Sequence, residues 1–194
     1  MTNPHEKALA SIDAAHSLDP KKIEVDGEEV PYELHYARKM SHYLSLRSPT
    51  ASPTLSLAIR SQHLRRWEVP RDSYPMTRVG YHAWRTFLKK RQAQIASQIC
   101  LESGYSEEEA ERVASLVRKE DLKSDEETQV LEDVACLVFL DDQFAEFEKE
   151  HDEEKIIKIL QKTWGKMSEE GHRLALKIPM SGRPLELIEK ALAG

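Results

Sequence analysis

The sequence predicts an all-α protein built as one compact multi-helix domain, and three observations carry that expectation. Only 7 of its 194 residues are Gly, and the long segments between them are filled with Glu, Lys, Leu and Ala, side chains that cost little to place in a helix. Strictly alternating runs of β-branched residues, the mark of a half-buried strand, are absent. Helix-start signatures recur: Ser106-x-x-Glu109 and Ser124-x-x-Glu127 both have the form of a capping box. A chain of this length is expected to form one core rather than two. Its centre spans about residues 32–142, with C-terminal helices over 152–193 packed on it.

The elements follow in order. Residues 5–17 read as a helix stopped by Leu18-Asp19-Pro20, and residues 20–31, with Pro20, Asp26-Gly27 and Pro31, as a loop. A second helix covers 32–47, halted by Ser48-Pro49. A third runs from Pro53, with Ser52 as N-cap and Pro at the first helical position, to about Trp67. Residues 68–79, holding Pro70, Tyr74 and Pro75, form the most irregular stretch, and long ordered loops often carry function. A long helix then spans 80–103 and ends at Gly104, the residue suited to a left-handed C′ position. Helices over 107–120 and 125–142 follow the two capping boxes. Asp152 caps a helix whose Ile156, Ile157, Leu160, Trp164 and Met167 fall at helical spacing. Ser168 opens a short helix that stops before Pro179, and a last one runs from Pro184 to Leu192.

Composition narrows the function classes. Hydrophobic residues make up 40% and charged residues 32%, so a core lies under a heavily charged surface. No apolar run approaches the ~20 residues of a membrane span, and residues 1–10 lack a signal-peptide core. The expectation is a cytoplasmic protein, with a nuclear address also open. Cys100 and Cys136 sit among apolar neighbours in separate helices and read as two reduced, buried thiols. His35 and His42 lie off the apolar stripe of the second helix and read as surface residues.

The net charge of −6 hides an asymmetry. Residues 1–100 carry +5 and residues 101–194 carry −11. Between Leu57 and Arg91, nine cations stand against only Glu68 and Asp72. A local positive patch on an acidic protein points to a small anionic ligand and argues against general nucleic-acid binding. The alternative is that these cations pair with the acidic C-terminal half.

Polar groups on inward faces supply the candidate site. Gln62 and His63 continue the stripe of Leu55 and Ile59, Gln92 interrupts that of Trp84, Leu88, Ile95 and Ile99, and Asp133 lies within that of Val130, Val134 and Leu137. Burying such groups unpaired costs roughly 2–7 kcal/mol each, so they must meet one another, a metal or a ligand. For Gln92 alone, an ordinary helix–helix hydrogen bond is the plainer reading.

Gln62-His63, Gln92 and Asp133, in that order, resemble the ligand positions of the HD superfamily of metal-dependent phosphohydrolases, with a degenerate metal site. That resemblance implies an HD-like helical core, a divalent metal ion on His63 and Asp133, and those two residues as the catalytic acid/base pair. A second resemblance covers most of the chain. It rests on Gln62-His63-Leu64-Arg65-Arg66-Trp67-Glu68-Val69-Pro70-Arg71, Tyr74-Pro75-Met76, Gly80-Tyr81-His82-Ala83-Trp84-Arg85 and the segment from Leu131 to Leu140. These are similar to an uncharacterised all-helical family of bacteria and fungi whose members are often labelled glutamyl-tRNA synthetase. The chain has no HIGH-type or KMSKS-type motif and lacks a synthetase's length, so the resemblance implies the family and not that activity.

Arg66, Arg71 and Arg85 offer forked donors suited to carboxylate or phosphate, and Lys119 is placed to join them. Trp67, Tyr74, Tyr81 and Trp84 offer flat faces for a ring or a guanidinium. The blander alternative is an arginine–aromatic lattice that pins the loop. The sequence thus leads to an HD-like helical hydrolase acting on a small phosphorylated molecule. Its catalytic residues would be His63 and Asp133. Substrate would be held by Gln62, Arg66, Trp67, Arg71, Tyr74, Tyr81, Trp84, Arg85, Gln92 and Lys119. A non-catalytic anion- or nucleotide-binding protein, or an RNA-binding one, are the alternatives.

Overall fold

The structure, a computed structural model, describes residues 3–193, and they form an all-α assembly. Helix α1 (Pro4–His16) opens with a capping box between Asn3 and Glu6. Two short antiparallel strands follow, β1 (Lys22–Val25) and β2 (Glu28–Pro31), where the sequence suggests only a loop. Asp26 and Gly27 sit at φ 52° and 81°, the two-residue turn that matches strand twist, and it overrides the flanking prolines. Helix α2 (Tyr32–Arg47) then enters the core.

Helix α3 (Pro53–Arg60) starts at the expected Ser52 cap but stops well short of Trp67. The chain leaves the helix because His63 and Arg65 take left-handed backbone at φ 63° and 52°. Two single 3-10 turns, Arg66–Glu68 and Arg71–Ser73, carry it onward. Helix α4 (Arg78–Ser103) begins at a Thr77 cap and ends where Gly104 turns at φ 103°. The amides of Tyr105 and Gly104 there close back on the carbonyls of Cys100 and Leu101, a Schellman ending.

Helix α5 (Glu107–Arg118) has the capping box expected at Ser106. Helix α6 (Glu126–Val138) is capped by Asp125, whose carboxylate accepts from the amides of Glu127 and Thr128, and not by Ser124. A single π-turn (Phe139–Gln143) extends α6 into α7 (Phe144–Phe147). Helices α8 (Glu153–Lys166), α9 (Glu169–Ala175) and α10 (Gly182–Ala193) complete the chain, with Asp152 and Ser168 as the caps of the first two.

Helix α6 occupies the centre. It touches α2, α3, α5, α8 and α9, and Val130, Leu131, Glu132, Asp133, Val134, Leu137 and Val138 are all buried. The apolar core is continuous from Ile12 of α1 through Leu55, Leu116 and Leu131 to Ile156 and Leu187 of the C-terminal helices. Deleting one such side chain typically costs ~2–5 kcal/mol. Cys100 and Cys136 are buried and free. Among the described residues, no helix is long and apolar enough to cross a membrane.

Candidate functional site

One cavity of about 460 Å³ opens beside the inner end of α4. Arg85, Lys89 and Gln92 line it because they lie four and three residues apart on one helical face. Tyr36 of α2, Gln62, His63 and Arg66 form one side. Lys119 enters from the end of α5, Glu132 from α6, Phe139 and Gln143 from the π-turn, and Lys166 from the last turn of α8. π-turns re-aim side chains within a helix and recur at functional sites.

Two wall residues are held in costly backbone. Lys119 takes φ 57° at the end of α5, where the amides of Lys119 and Glu120 bond the carbonyls of Leu116 and Ser115. This is the ending that α4 makes with Gly104, yet here a lysine stands in the glycine position. His63 pays the same conformational cost at φ 63°. Non-Gly residues in left-handed backbone persist only where their surroundings require them, and they cluster at ligand sites.

The electrostatics are one-sided. Arg66, Arg85, Lys89, Lys119 and Lys166 face a single lining carboxylate, Glu132. Lys119 Nζ donates to Glu132 at 2.6 Å, with Lys166 at 3.6 Å. Burial alone would raise the pKa of Glu132, but Lys119 and the other lysines outweigh it and hold the group below its ordinary value. Among the described residues, Arg85, Lys89 and the Gln92 amide have no side-chain hydrogen bond or ion-pair partner. None of the nine cations between Leu57 and Arg91 pairs with a carboxylate beyond residue 100, among the described residues. Arg60 takes Asp13, and Arg65 and Arg91 take Glu68.

His63 stacks on Tyr36, with ring centroids 4.1 Å apart and planes 9° from parallel. Arg66 Nη1 lies 3.0 Å from its Nε2. The same nitrogen is 3.4 Å from Nδ1, so the guanidinium lies over the ring face opposite no single lone pair, and its positive charge disfavours a second one on the imidazole. Burial first, then Arg66, Arg85 and Lys119, push its pKa well below the ordinary histidine value. Behind it, Glu33 Oε2 is buried without a hydrogen-bond partner, 3.4 Å from His63 Nδ1. Burial raises the Glu33 pKa to about 8, so this carboxyl keeps its proton at neutral pH. Cys136 also borders the cavity, but burial lifts its pKa to about 12 and keeps it a thiol.

Several residues expected at the site lie elsewhere. Asp133 faces away from His63 and is saturated: its carboxylate accepts from Arg47 Nε at 2.7 Å, Gln129 Nε2 at 3.0 Å, and the amide and hydroxyl of Ser168. It fixes the start of α9, and Gly171 is glycine because a Cβ there would stand 2.8 Å from Asp133 Oδ1. Arg71 is equally committed, donating to the carbonyls of Tyr74, Pro75 and Thr77. Trp84 is buried beneath the wall with its indole N–H on the Val69 carbonyl, and Tyr74 packs against Phe87. Trp67, Tyr74 and Trp84 do not line the cavity, whereas Gln62, His63, Arg66, Tyr81, Arg85, Gln92 and Lys119 do.

The loop over 68–79 packs on the start of α4. A Cβ on Gly80 would meet the Pro75 carbonyl oxygen at 2.0 Å, and Arg66 and Arg71 lie 5.0 Å and 5.9 Å from the Trp84 ring. Lys89 and Lys166 were not among the sequence candidates. Lys89 carried a signal, four residues after Arg85 on the face of Gln92. Lys166 carried none.

The residues present do not fit the HD-type metal. His63 is ringed by cations, Asp133 has no oxygen to spare, and among the described residues no three His, Cys, Asp or Glu side chains are grouped to hold an ion. A family model described as a domain of unknown function, DUF4202, matches residues 6–188. No curated protein and no solved structure matches the chain.

Proposed function

Since the chain belongs to the DUF4202 family, a domain of unknown function, we propose its role from the cavity itself: it takes up a small phosphorylated molecule. The observation that carries this reading is the excess of cations over carboxylate in the wall, with Arg85 and Lys89 left unpaired. Like charges gathered in a partly buried wall repel one another, screened by water only on the open side. An anion entering the cavity relieves that cost and gains charge-assisted hydrogen bonds, worth ~1.5–3 kcal/mol each. Arg66 and Arg85 supply forked donors for the phosphoryl oxygens, and Lys119 adds a point charge. The Tyr36–His63 stack and Phe139 offer flat or apolar contact for the rest of the molecule.

Calorimetric titration of the protein with inorganic phosphate and with a nucleoside monophosphate tests the reading. Saturable binding that weakens steeply with salt is expected. The absence of binding by either anion at low salt overturns it. A second reading, hydrolysis of that phosphorylated molecule, is favoured by His63. Arg66 lies over the ring and leaves the lone pair of the imidazole free, and the lowered pKa keeps that lone pair unprotonated for proton transfer. Turnover abolished by His63→Gln, with anion binding retained, would support it.

A further inference from the structure

We propose that Lys89 is a carbonyl-capturing amine, which forms an imine with a phosphorylated aldehyde or ketone bound in this cavity. The inference rests on the phosphate-binding reading and narrows it to one substrate class.

Three features of the wall point to Lys89. Among the described residues it is the lysine of the cluster without an acidic partner, since Lys119 and Lys166 both lie on Glu132. It stands one helical turn after Arg85, so a phosphoryl group on Arg85 places the rest of a short ligand along the Lys89 side chain. The cavity it lines is partly apolar, with Leu88, Ala135 and Phe139 in the wall beside the charged groups. An amine in such a setting is an activated nucleophile, because desolvation and neighbouring cations both disfavour its charged form. Burial, and then Lys119 and Arg85, lower the Lys89 pKa in that way.

The chemistry balances without an oxidant or reductant. The free amine of Lys89 attacks the carbonyl carbon, forming the C–N bond while the C=O π pair moves to oxygen. A nitrogen proton is transferred to that oxygen, giving a carbinolamine. One proton from solvent goes onto the carbinolamine hydroxyl, water departs with the C–O electron pair, and the nitrogen lone pair forms C=N to give the iminium.

The test uses the full chain, glyceraldehyde 3-phosphate as probe and borohydride to fix any imine as a secondary amine, which peptide mass spectrometry then locates. The adduct is expected on Lys89. It should form at least about tenfold faster than with unphosphorylated glyceraldehyde, a ratio of the size that one charge-assisted phosphate contact supplies, and excess inorganic phosphate should suppress it. Lys89→Arg keeps the charge and the fold and should abolish the fast adduct. Labelling spread over surface lysines, equal rates for the two aldehydes, or an unchanged adduct in Lys89→Arg would overturn the proposal. Melting of the unsubstituted protein with phosphate separates the two failures. A phosphate-induced rise in melting temperature without a Lys89 adduct sinks the imine alone, whereas the absence of a rise sinks the binding reading and the imine with it.

Discussion

Glu132 and Asp133 are adjacent in the chain and serve two different faces of α6, about 100° apart. Glu132 turns into the cavity and meets Lys119 at 2.6 Å, while Asp133 turns to Arg47 at 2.7 Å and to the first residue of the α9 cap, Ser168. Both are buried, and each is satisfied by partners the other cannot reach.

Asp133→Ala should therefore damage the fold and spare the cavity. Removing one partner of a buried ion pair typically costs ~3–5 kcal/mol, and the α9 cap loses its acceptor as well. Urea denaturation is expected to show that loss, with phosphate affinity unchanged under conditions where the variant remains folded. Lost phosphate binding in a folded Asp133→Ala protein would contradict the separation of the two faces.

Arg71 and Arg85 should behave as opposites. Arg71→Ala removes three donors from carbonyls of the 68–79 loop. A loss of about 1 kcal/mol lowers the melting midpoint by ~2–4 °C in a domain of this size, so a fall of several degrees is expected. The phosphate-induced shift should survive. Arg85→Ala deletes a guanidinium with no partner among the described residues, so the melting temperature should hold while the phosphate-induced shift disappears. Thermal melts of both variants, with and without phosphate, decide the matter.

Gly80→Ala tests how tightly the loop is seated. The added methyl would lie 2.0 Å from the Pro75 carbonyl oxygen, and backbone on both sides must shift to admit it. Overpacking of this kind typically costs ~1–3 kcal/mol. A fall in stability by denaturation is expected, together with faster proteolysis between residues 68 and 79. A variant as stable as the parent would mean that the loop yields easily.

Glu33 should leave a mark on the pH dependence of stability. Its carboxyl has an ordinary value of 4.5 and is raised to about 8 by burial. Between those values the folded state holds a proton that the unfolded chain has released, so stability falls as pH rises, by about 1.4 kcal/mol per unit. The contribution is whole below pH 4.5 and lost as pH climbs through 8. His16 and His63, both depressed by burial, act in the opposite sense and are shared by the Glu33→Gln variant. The stability of Glu33→Gln minus that of the parent should thus grow from about pH 4.5 to 8. A constant difference, read from denaturation curves across that range, would show that Glu33 titrates normally.

The helices were legible in the sequence because their caps are local. Ser52, Ser106, Asp152 and Ser168 announce their starts, and Gly104 announces one stop, whereas the Asn3 cap of α1 went unread. The hairpin was hidden by prolines on both sides of a two-residue turn. The site was half legible. Arg85, Gln92 and His63 could be read from helical phase and composition, although His63 arrives on a left-handed turn and not on the helix expected. Phase failed at α6 because that helix is buried on every face, so an inward position does not say toward what. It failed at Arg71 because three carbonyls brought together by the loop's own turns leave no trace in residue order.

The same all-round burial makes α6 a part that cannot be reindexed. A one-residue insertion or deletion within it turns the remainder by about 100°, and that rotation would carry Glu132 off the cavity wall and leave Ser168 and Arg47 without their anchor. Length variation in relatives of this chain should therefore fall in the exposed turn before Asp125, or after the π-turn, and never between Glu126 and Asp133. In an alignment, that interval should stand as a gap-free block even where its individual letters drift.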